Sequence, residues 1–189
     1  MKAKIAPRKE IVLLYRYEQI PNGERLLELL NQMKLEYRMI AEDQLGKTTG
    51  ELAGYRVTPV QPEQDEIPVP QVSAMVMGGL AGRRLDELLN AMSKAGVELP
   101  IKMVVTQHNE GWRFGRLIEE VHQEHELFMS MERLKRLVMV ARKQDQPSEQ
   151  LSGLLKTAQA ALERMQGSEQ SQPERQELDT LSEQLQELL

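Results

Sequence analysis

Apolar residues in the first third of the chain form short runs, typical of strands, and longer stretches with helical spacing. Residues 11–15, IVLLY, form a nearly continuous apolar run that predicts a strand, and the Leu-rich segment after Gly23 predicts a helix. Residues 36–41 alternate more between polar and apolar positions and predict a second strand. A short helix is predicted over residues 46–53. The order is therefore strand, helix, strand, helix.

The same order is predicted again between residues 72 and 143. Strands are predicted over residues 72–77 and 102–106, and helices over residues 85–92 and from about 113 to 143. Apolar residues at helical spacing carry the prediction of the long helix: Phe114, Leu117, Ile118, Val121, Phe128, Met131, Leu134, Val138 and Ala141.

The two halves also align residue by residue. Residues 23–33 align with residues 82–92 without a gap, and residues 40–52 align with residues 105–117. The glycines of the two halves coincide in both alignments. We therefore predict a duplicated β-α-β-α unit, an internal repeat.

The fold class predicted from this order is α/β. Nearly continuous apolar strands are typical of a sheet buried on both faces, and a helix after every strand suits parallel crossovers. We predict a four-stranded parallel sheet of order 2-1-3-4, with a ferredoxin-like split sheet as the alternative.

The chain is predicted to divide into four segments. These are a first repeat at 1–55, a Pro-rich linker at 56–71, a second repeat with the long helix at 72–143, and a helical tail at 144–189. The two amphipathic stretches of the tail need a neighbour, because isolated helices of about 15 residues are marginal in water. They are expected to pack on the long helix or, as a coiled-coil seam, on another copy or another protein.

Composition narrows the functional classes. The chain has 189 residues, a formal net charge of -5 and no cysteine. The absence of cysteine excludes disulfides, thiolate zinc sites, iron-sulfur clusters and cysteine nucleophiles, and it fits a cytoplasmic location. No apolar run approaches the roughly 20 residues that span a bilayer, so no membrane association is expected.

Nucleic-acid binding is not favoured by the acidic balance, because it requires clustered cations. It would need seven basic residues to share one surface: Arg83, Arg84, Arg113, Arg116, Arg133, Lys135 and Arg136.

Residues 40–50, IAEDQLGKTTG, invite interpretation as a phosphate-binding loop. Such a loop begins with a glycine that turns its N–H groups inward, and Ala41 occupies that position. Glu42 and Asp43 would repel a polyphosphate. A turn common to both halves explains Gly46 better.

No metal or cofactor is predicted. Glu119 and His122 have an i, i+3 spacing used in di-iron bundles, but the further glutamates and the second Glu-x-x-His are missing. Acids and histidines on a helix are usually a solvated face.

A small-molecule pocket is the alternative function that the strand ends suggest, because ligands of open α/β sheets bind at carboxyl ends of strands. Its candidate lining residues are Tyr17, Gly78, Gly79, Thr106, Asn109 and Trp112. Each also has a structural explanation. The glycines serve packing, Asn109 caps the next helix, and Trp112 covers the first turn of that helix.

The pattern Lys-x3-Thr-x2-Asn-x2-Trp, followed by a helix with Glu-His, is met at six positions: Lys102, Thr106, Asn109, Trp112, Glu124 and His125. On these residues the segment 85–125 resembles a family of small bacterial proteins known only as a domain of unknown function, the DUF3783 type. The resemblance implies a bacterial cytoplasmic protein and no catalytic residue.

Two functional hypotheses follow. The first is a non-enzymatic binding or regulatory module whose C-terminal helices meet another copy or a protein partner. The alternative is a small-molecule-binding protein or small enzyme with its pocket near Thr106 and Trp112. No base and nucleophile pair can be placed from the sequence, which disfavours an enzyme.

Overall fold

The computed structural model describes residues 8–57, 66–144, 146–165, 167 and 172–189. The central part of the predicted linker, including Pro59 and Pro62, lies outside the described residues. So do the N-terminal residues 1–7 and most of the segment between the two predicted tail helices.

The described residues contain four strands and six α-helices in the predicted order. The strands are β1 (Ile11–Tyr15), β2 (Glu36–Ile40), β3 (Ala74–Gly78) and β4 (Ile101–Val104). The helices are α1 (Gly23–Gln32), α2 (Thr49–Leu52), α3 (Gly82–Lys94), α4 (Phe114–Ala141), α5 (Glu149–Arg164) and α6 (Arg175–Glu187).

The four strands form one sheet of order β2-β1-β3-β4, which confirms the predicted order. The pairs β1–β2 and β3–β4 are parallel, as each crossover through one helix requires. The central pair β1–β3 is antiparallel, with Leu13 opposite Val76. The prediction of an all-parallel sheet is therefore wrong at its centre, and the ferredoxin-like alternative is not confirmed.

The physical reason lies in the connection between the halves. A single β-α-β crossover forces its two strands to be parallel, but β1 and β3 are not joined by one. The chain reaches β3 from β2 through α2 and a long segment. This connection does not fix the direction of β3 relative to β1. Burial on both faces, which produced the apolar runs, is the same for either direction.

Helices cover both faces of the sheet. Tyr15 belongs to one core cluster together with Phe114 of α4. Leu14, the preceding residue of β1, belongs to the opposite cluster with Leu26 of α1 and Leu88 of α3. Successive residues of β1 thus fill two cores, which explains why its run is continuously apolar.

In the first unit, two loops pair with each other through backbone hydrogen bonds. They comprise residues 45–50 and residues 110–115. The N–H to O=C bonds are Thr49 to Trp112 (2.9 Å), Gly50 to Glu110 (2.8 Å), Phe114 to Lys47 (2.9 Å) and Gly115 to Leu45 (3.0 Å). The two halves are offset by 65 positions, as residues 40 and 105 are. When each residue is exchanged for its equivalent in the other half, the bond from Thr49 to Trp112 becomes the bond from Phe114 to Lys47, and the bond from Gly50 to Glu110 becomes the bond from Gly115 to Leu45. Two copies related by a two-fold axis would pair in this way. The duplication itself stays a prediction.

The chain divides into two compact units, residues 1–122 and residues 123–189. In the second unit, the last part of α4 packs with α5 and α6 around a core of Leu134, Val138, Ala141, Leu151, Ala158, Ala161, Leu178, Leu181 and Leu185. Ser148 caps α5, because its hydroxyl accepts a hydrogen bond from the Leu151 N–H (3.1 Å). The C-terminal helices are thus confirmed, and their own core includes the long helix.

Candidate functional site

The six predicted pocket residues do not lie together. Because β1 is antiparallel to β3, Tyr15 at the end of β1 pairs with Ala74 at the start of β3. Tyr17 therefore lies at one edge of the sheet, whereas Gly78 and the loop from Thr106 lie at the other. The predicted site is divided between two edges.

Gly78 and Gly79 are explained by packing. A Cβ on Gly78 would lie 2.7 Å from the Tyr55 hydroxyl. Gly79 has a φ of 70°, and its Cβ would overlap the Lys9 carbonyl oxygen and lie 2.8 Å from the Arg8 carbonyl oxygen. Side chains therefore fill the space beside Gly78, and the backbone before β1 fills the space beside Gly79.

The side chain of Asn109 closes the end of β4. Its Oδ1 accepts a hydrogen bond from the Thr106 N–H (2.8 Å), and its Nδ2 donates to the Val104 carbonyl (3.0 Å). The Thr106 hydroxyl accepts from the His108 N–H (3.3 Å). The expectation that Asn109 caps the next helix is wrong, since α4 begins only at Phe114. Both ends of the amide already have partners in the chain.

Trp112 contributes its backbone to the pairing of the loops. Its carbonyl accepts hydrogen bonds from the N–H of Thr49 (2.9 Å) and from the Thr49 hydroxyl (3.2 Å). Its side chain is half-buried. A pocket beside Thr106 and Trp112 stays a prediction.

Charged and aromatic groups cover the same edge. Arg8 forms an ion pair with Glu110, and its guanidinium lies 4.7 Å from the centre of the Tyr55 ring. The Tyr55 hydroxyl donates to the Lys9 carbonyl (3.2 Å). Burial raises the pKa of Tyr55, with Arg8 opposing the shift and Glu110 adding to it. These contacts join the segment before β1 to Tyr55 and to Glu110.

The other edge contains a cavity of about 390 Å³ at the carboxyl ends of β1 and β2. Its lining includes Tyr17 of the predicted set, together with Arg16, Met39 and Glu42. Arg16 has a φ of 47°, a conformation uncommon outside glycine. Its Nε donates to the Pro70 carbonyl (2.8 Å), and its Nη2 lies 2.8 Å from Glu42 Oε1. Sequence reasoning missed Arg16, because its partners Pro70 and Glu42 lie far from it in the sequence.

The segment resembling a phosphate-binding loop is used structurally. Thr48 and Glu51 form a capping box at α2: the Thr48 hydroxyl accepts from the Glu51 N–H (3.2 Å), and the Glu51 carboxylate accepts from the Thr48 N–H (2.8 Å). The Thr48 hydroxyl also donates to the Glu51 carboxylate (2.7 Å), and this bond, together with the one from the Thr48 N–H, lowers the pKa of Glu51. The N–H groups of Thr49 and Gly50 bond to the other loop. These contacts support the argument against phosphate binding.

The described part of the chain contains neither a cluster of potential metal ligands nor a helix able to cross a membrane. Among those residues, no group of three or more His, Asp or Glu side chains is arranged to hold a metal ion. None of the described helices combines the length and apolarity needed to cross a membrane.

The basic residues considered for nucleic-acid binding mostly have partners within the chain. Arg83 pairs with Glu87 and Arg84 with Glu10. Other contacts are Arg113 to the Gly46 carbonyl, Arg116 to the Glu66 carbonyl, Arg133 to Gln186, and Lys135 to Glu132. These contacts give no support to a free basic surface.

The outward side of α4 carries the feature that sequence reasoning missed. Phe128 is one of the apolar residues whose spacing predicts the long helix, but it is 52% exposed. Met129, Met139 and Val140 are 47%, 57% and 53% exposed. The outer face of α4 is defined here as Phe128, Met129, Glu132, Arg136, Met139 and Val140. The repetition of an apolar pair after 11 residues is the sequence signal for this face.

The comparisons with known proteins agree with the predicted resemblance. The family model described as Domain of unknown function (DUF3783) matches residues 73–128, from the start of β3 to the middle of α4. This confirms the predicted resemblance, and the match ends where the outer face of α4 begins. No curated protein and no solved structure matches the chain.

Proposed function

We propose that the chain is a non-enzymatic protein-interaction module of bacterial cytoplasm, in which a duplicated α/β unit carries a helical unit that binds a protein through the outer face of α4. The observation that supports it is the exposure of Phe128, Met129, Met139 and Val140 on one helix. Single exposed apolar residues are ordinary, but four on the same side of one helix indicate an interaction surface.

The construction of the second unit supports this role. The opposite side of α4 already has its partners, because Leu134 and Val138 are buried against α5 and α6. The outer face is therefore not needed for the core of this unit. Burial of apolar surface contributes about 25 cal/mol of favourable free energy for each Å² removed from water. Covering the outer face of α4 would therefore favour association with a partner.

The test is site-specific photo-crosslinking in cells that make the protein. A benzophenone amino acid replaces Phe128 or Met139, and the matched control replaces Glu163, an exposed residue of α5. We expect one defined protein species to be crosslinked from both positions of α4 and not from position 163. Equal crosslinking from all three positions, or none from α4, would contradict the proposal.

A second candidate function, binding of a small molecule, is favoured by the cavity at the ends of β1 and β2. It joins Tyr17 to Arg16, whose side chain has a planar fork suited to a carboxylate or phosphate group. Glu42, which now pairs with Arg16, would be displaced by such a ligand. The location follows the rule that open α/β sheets bind ligands at carboxyl ends of strands.

A panel of nucleotides and small carboxylates, scanned by thermal unfolding, tests this candidate. A ligand at a hundred times its dissociation constant adds about 2.7 kcal/mol to the stability of the folded protein. We expect Arg16→Lys to abolish the shift and Arg25→Lys, which changes an arginine bonded to the Ala95 carbonyl (3.0 Å), to preserve it. A panel without any shift would argue against the cavity as a binding site.

A further inference from the structure

The six residues of the outer face form a stripe along one side of α4. Successive residues of an α-helix are rotated by about 100°, which places its six residues within about 120° of one another. The buried residues Leu134 and Val138 fall on the opposite side. The exposed apolar groups and the two charges therefore meet the same partner.

The residues of the outer face are arranged symmetrically along the sequence about Leu134. Phe128 and Val140 lie six residues from it on either side, and Met129 and Met139 lie five residues from it. Glu132 and Arg136 lie two residues from it. Each apolar residue is thus matched by an apolar residue, and the acid is matched by a base.

This symmetry fits one partner, a second copy of α4 running antiparallel. In a two-fold symmetric pair, residue i of one copy meets residue j of the other and j meets i. With the axis at Leu134, Phe128 of one copy meets Met139 of the second copy, and Met129 meets Val140. Both apolar contacts then occur twice.

The charges favour the same arrangement. Glu132 meets Arg136 of the second copy, and this ion pair also occurs twice. Arg136 is exposed, and Glu132 is half-exposed with Lys135 Nζ 2.9 Å from its carboxylate. A parallel, in-register pair would instead bring Arg136 against Arg136 and Glu132 against Glu132. Such charge pairs set register and partner choice more than affinity.

We propose that the partner of the outer face is a second copy of this chain, with the two α4 helices antiparallel about Leu134. This deepens the proposed function and rests on it. One helix from each copy makes a small interface beside the roughly 1,200–2,000 Å² of stable complexes, so the dimer is reversible and concentration-dependent.

Sedimentation equilibrium of the full chain over a concentration series tests the proposal. Glu132→Arg and Arg136→Glu each place like charges together twice, and each is expected to weaken dimerisation by at least about tenfold. The double variant Glu132→Arg/Arg136→Glu restores both ion pairs and recovers the dimer.

Mixing the two single variants gives the sharpest result. The Glu132→Arg chain carries two bases on this face, and the Arg136→Glu chain carries two acids. The mixture therefore forms heterodimers at concentrations at which each variant alone, weakened at least about tenfold, is mostly monomeric. Residues 132 and 136 are also i, i+4 neighbours within one helix, but an effect within one chain is not rescued by mixing.

The matched control is the exposed i, i+4 pair of α3, in which Arg83 Nε lies 3.4 Å from Glu87 Oε1. Arg83→Glu is expected to leave dimerisation unchanged. A wild-type chain that stays monomeric at all concentrations overturns the proposal, as does a mixture of single variants that does not associate. Crosslinking from Phe128 to a different protein would also overturn it, while the proposed interaction function would stand.

Discussion

Replacing Phe114 with alanine is expected to lower the free energy of unfolding of the N-terminal unit by about 3–5 kcal/mol. Phe114 is fully buried, and its ring meets that of Tyr15 edge to face at 6.4 Å between centroids. It fills the core between the sheet and the first turn of α4. Denaturant unfolding followed by Trp112 fluorescence measures the loss.

The chain contains one other phenylalanine, which serves as the control. Phe128 is 52% exposed, so Phe128→Ala is expected to change the stability of the monomer by less than about 1 kcal/mol. The measurement is made at a concentration below dimerisation. Equal losses from the two substitutions would contradict the assignment of Phe114 to the core and of Phe128 to the outer face.

Replacing Gly115 with alanine is expected to destabilise the N-terminal unit by about 1–3 kcal/mol, although alanine is the better helix former. The added Cβ would lie 2.6 Å from the Pro68 carbonyl oxygen and 2.9 Å from Ile67 Cγ2. The Gly115 N–H also bonds to the Leu45 carbonyl (3.0 Å), so the displacement disturbs the pairing of the loops. Denaturant midpoints measure the change.

Gly153→Ala is the matched control, because Gly153 also lies in a helix and nothing lies within 4 Å of its added Cβ. We expect it to stabilise the C-terminal unit by up to about 1 kcal/mol, the difference in helix propensity. A Gly115→Ala protein as stable as the Gly153→Ala protein would show that Ile67 and Pro68 are not packed tightly against the start of α4.

The strand order could be predicted because central and edge strands differ in their content of apolar residues. The central strands β1 and β3 are buried throughout and read as apolar runs, whereas β2 is mostly exposed and alternates. The direction of β3 relative to β1 was not predictable, because a strand filled on both faces has the same composition in either direction. That error placed Tyr17 beside Gly78 in the predicted site.

The aligned glycines were interpreted as turn residues, and the structure adds a reason for two of them. A Cβ on Gly50 would lie 3.0 Å from the Glu110 carbonyl oxygen, and Gly115 is equally confined. Gly50 lets residue 110 approach, and Gly115 lets Ile67 and Pro68 approach, with Leu45 next in distance. A contact between segments that lie 65 positions apart is visible only after folding.

The outer face of α4 shows that helical spacing of apolar residues does not by itself predict which of them are buried. Phe128 fits the helical spacing of the core residues, yet it lies on the outside because α4 leaves the first core and joins the second around Gln123. A helix of 28 residues that serves two cores has no single apolar side. The spacing of 11 residues between its exposed apolar pairs becomes informative only once Leu134 is known to be buried.

The distance between two spin labels tests the antiparallel pairing of α4 most directly. The chain has no cysteine, so Glu124→Cys, at an exposed position of α4, carries one label per copy. Pairing about Leu134 separates the two labels by 20 residues along the helix axis, which at a rise of about 1.5 Å per residue predicts about 30 Å. A distribution centred near 30 Å that disappears in the Arg136→Glu variant is the predicted result. A short distance typical of parallel helices, or no dipolar coupling at any concentration, would contradict the pairing of two copies through this face.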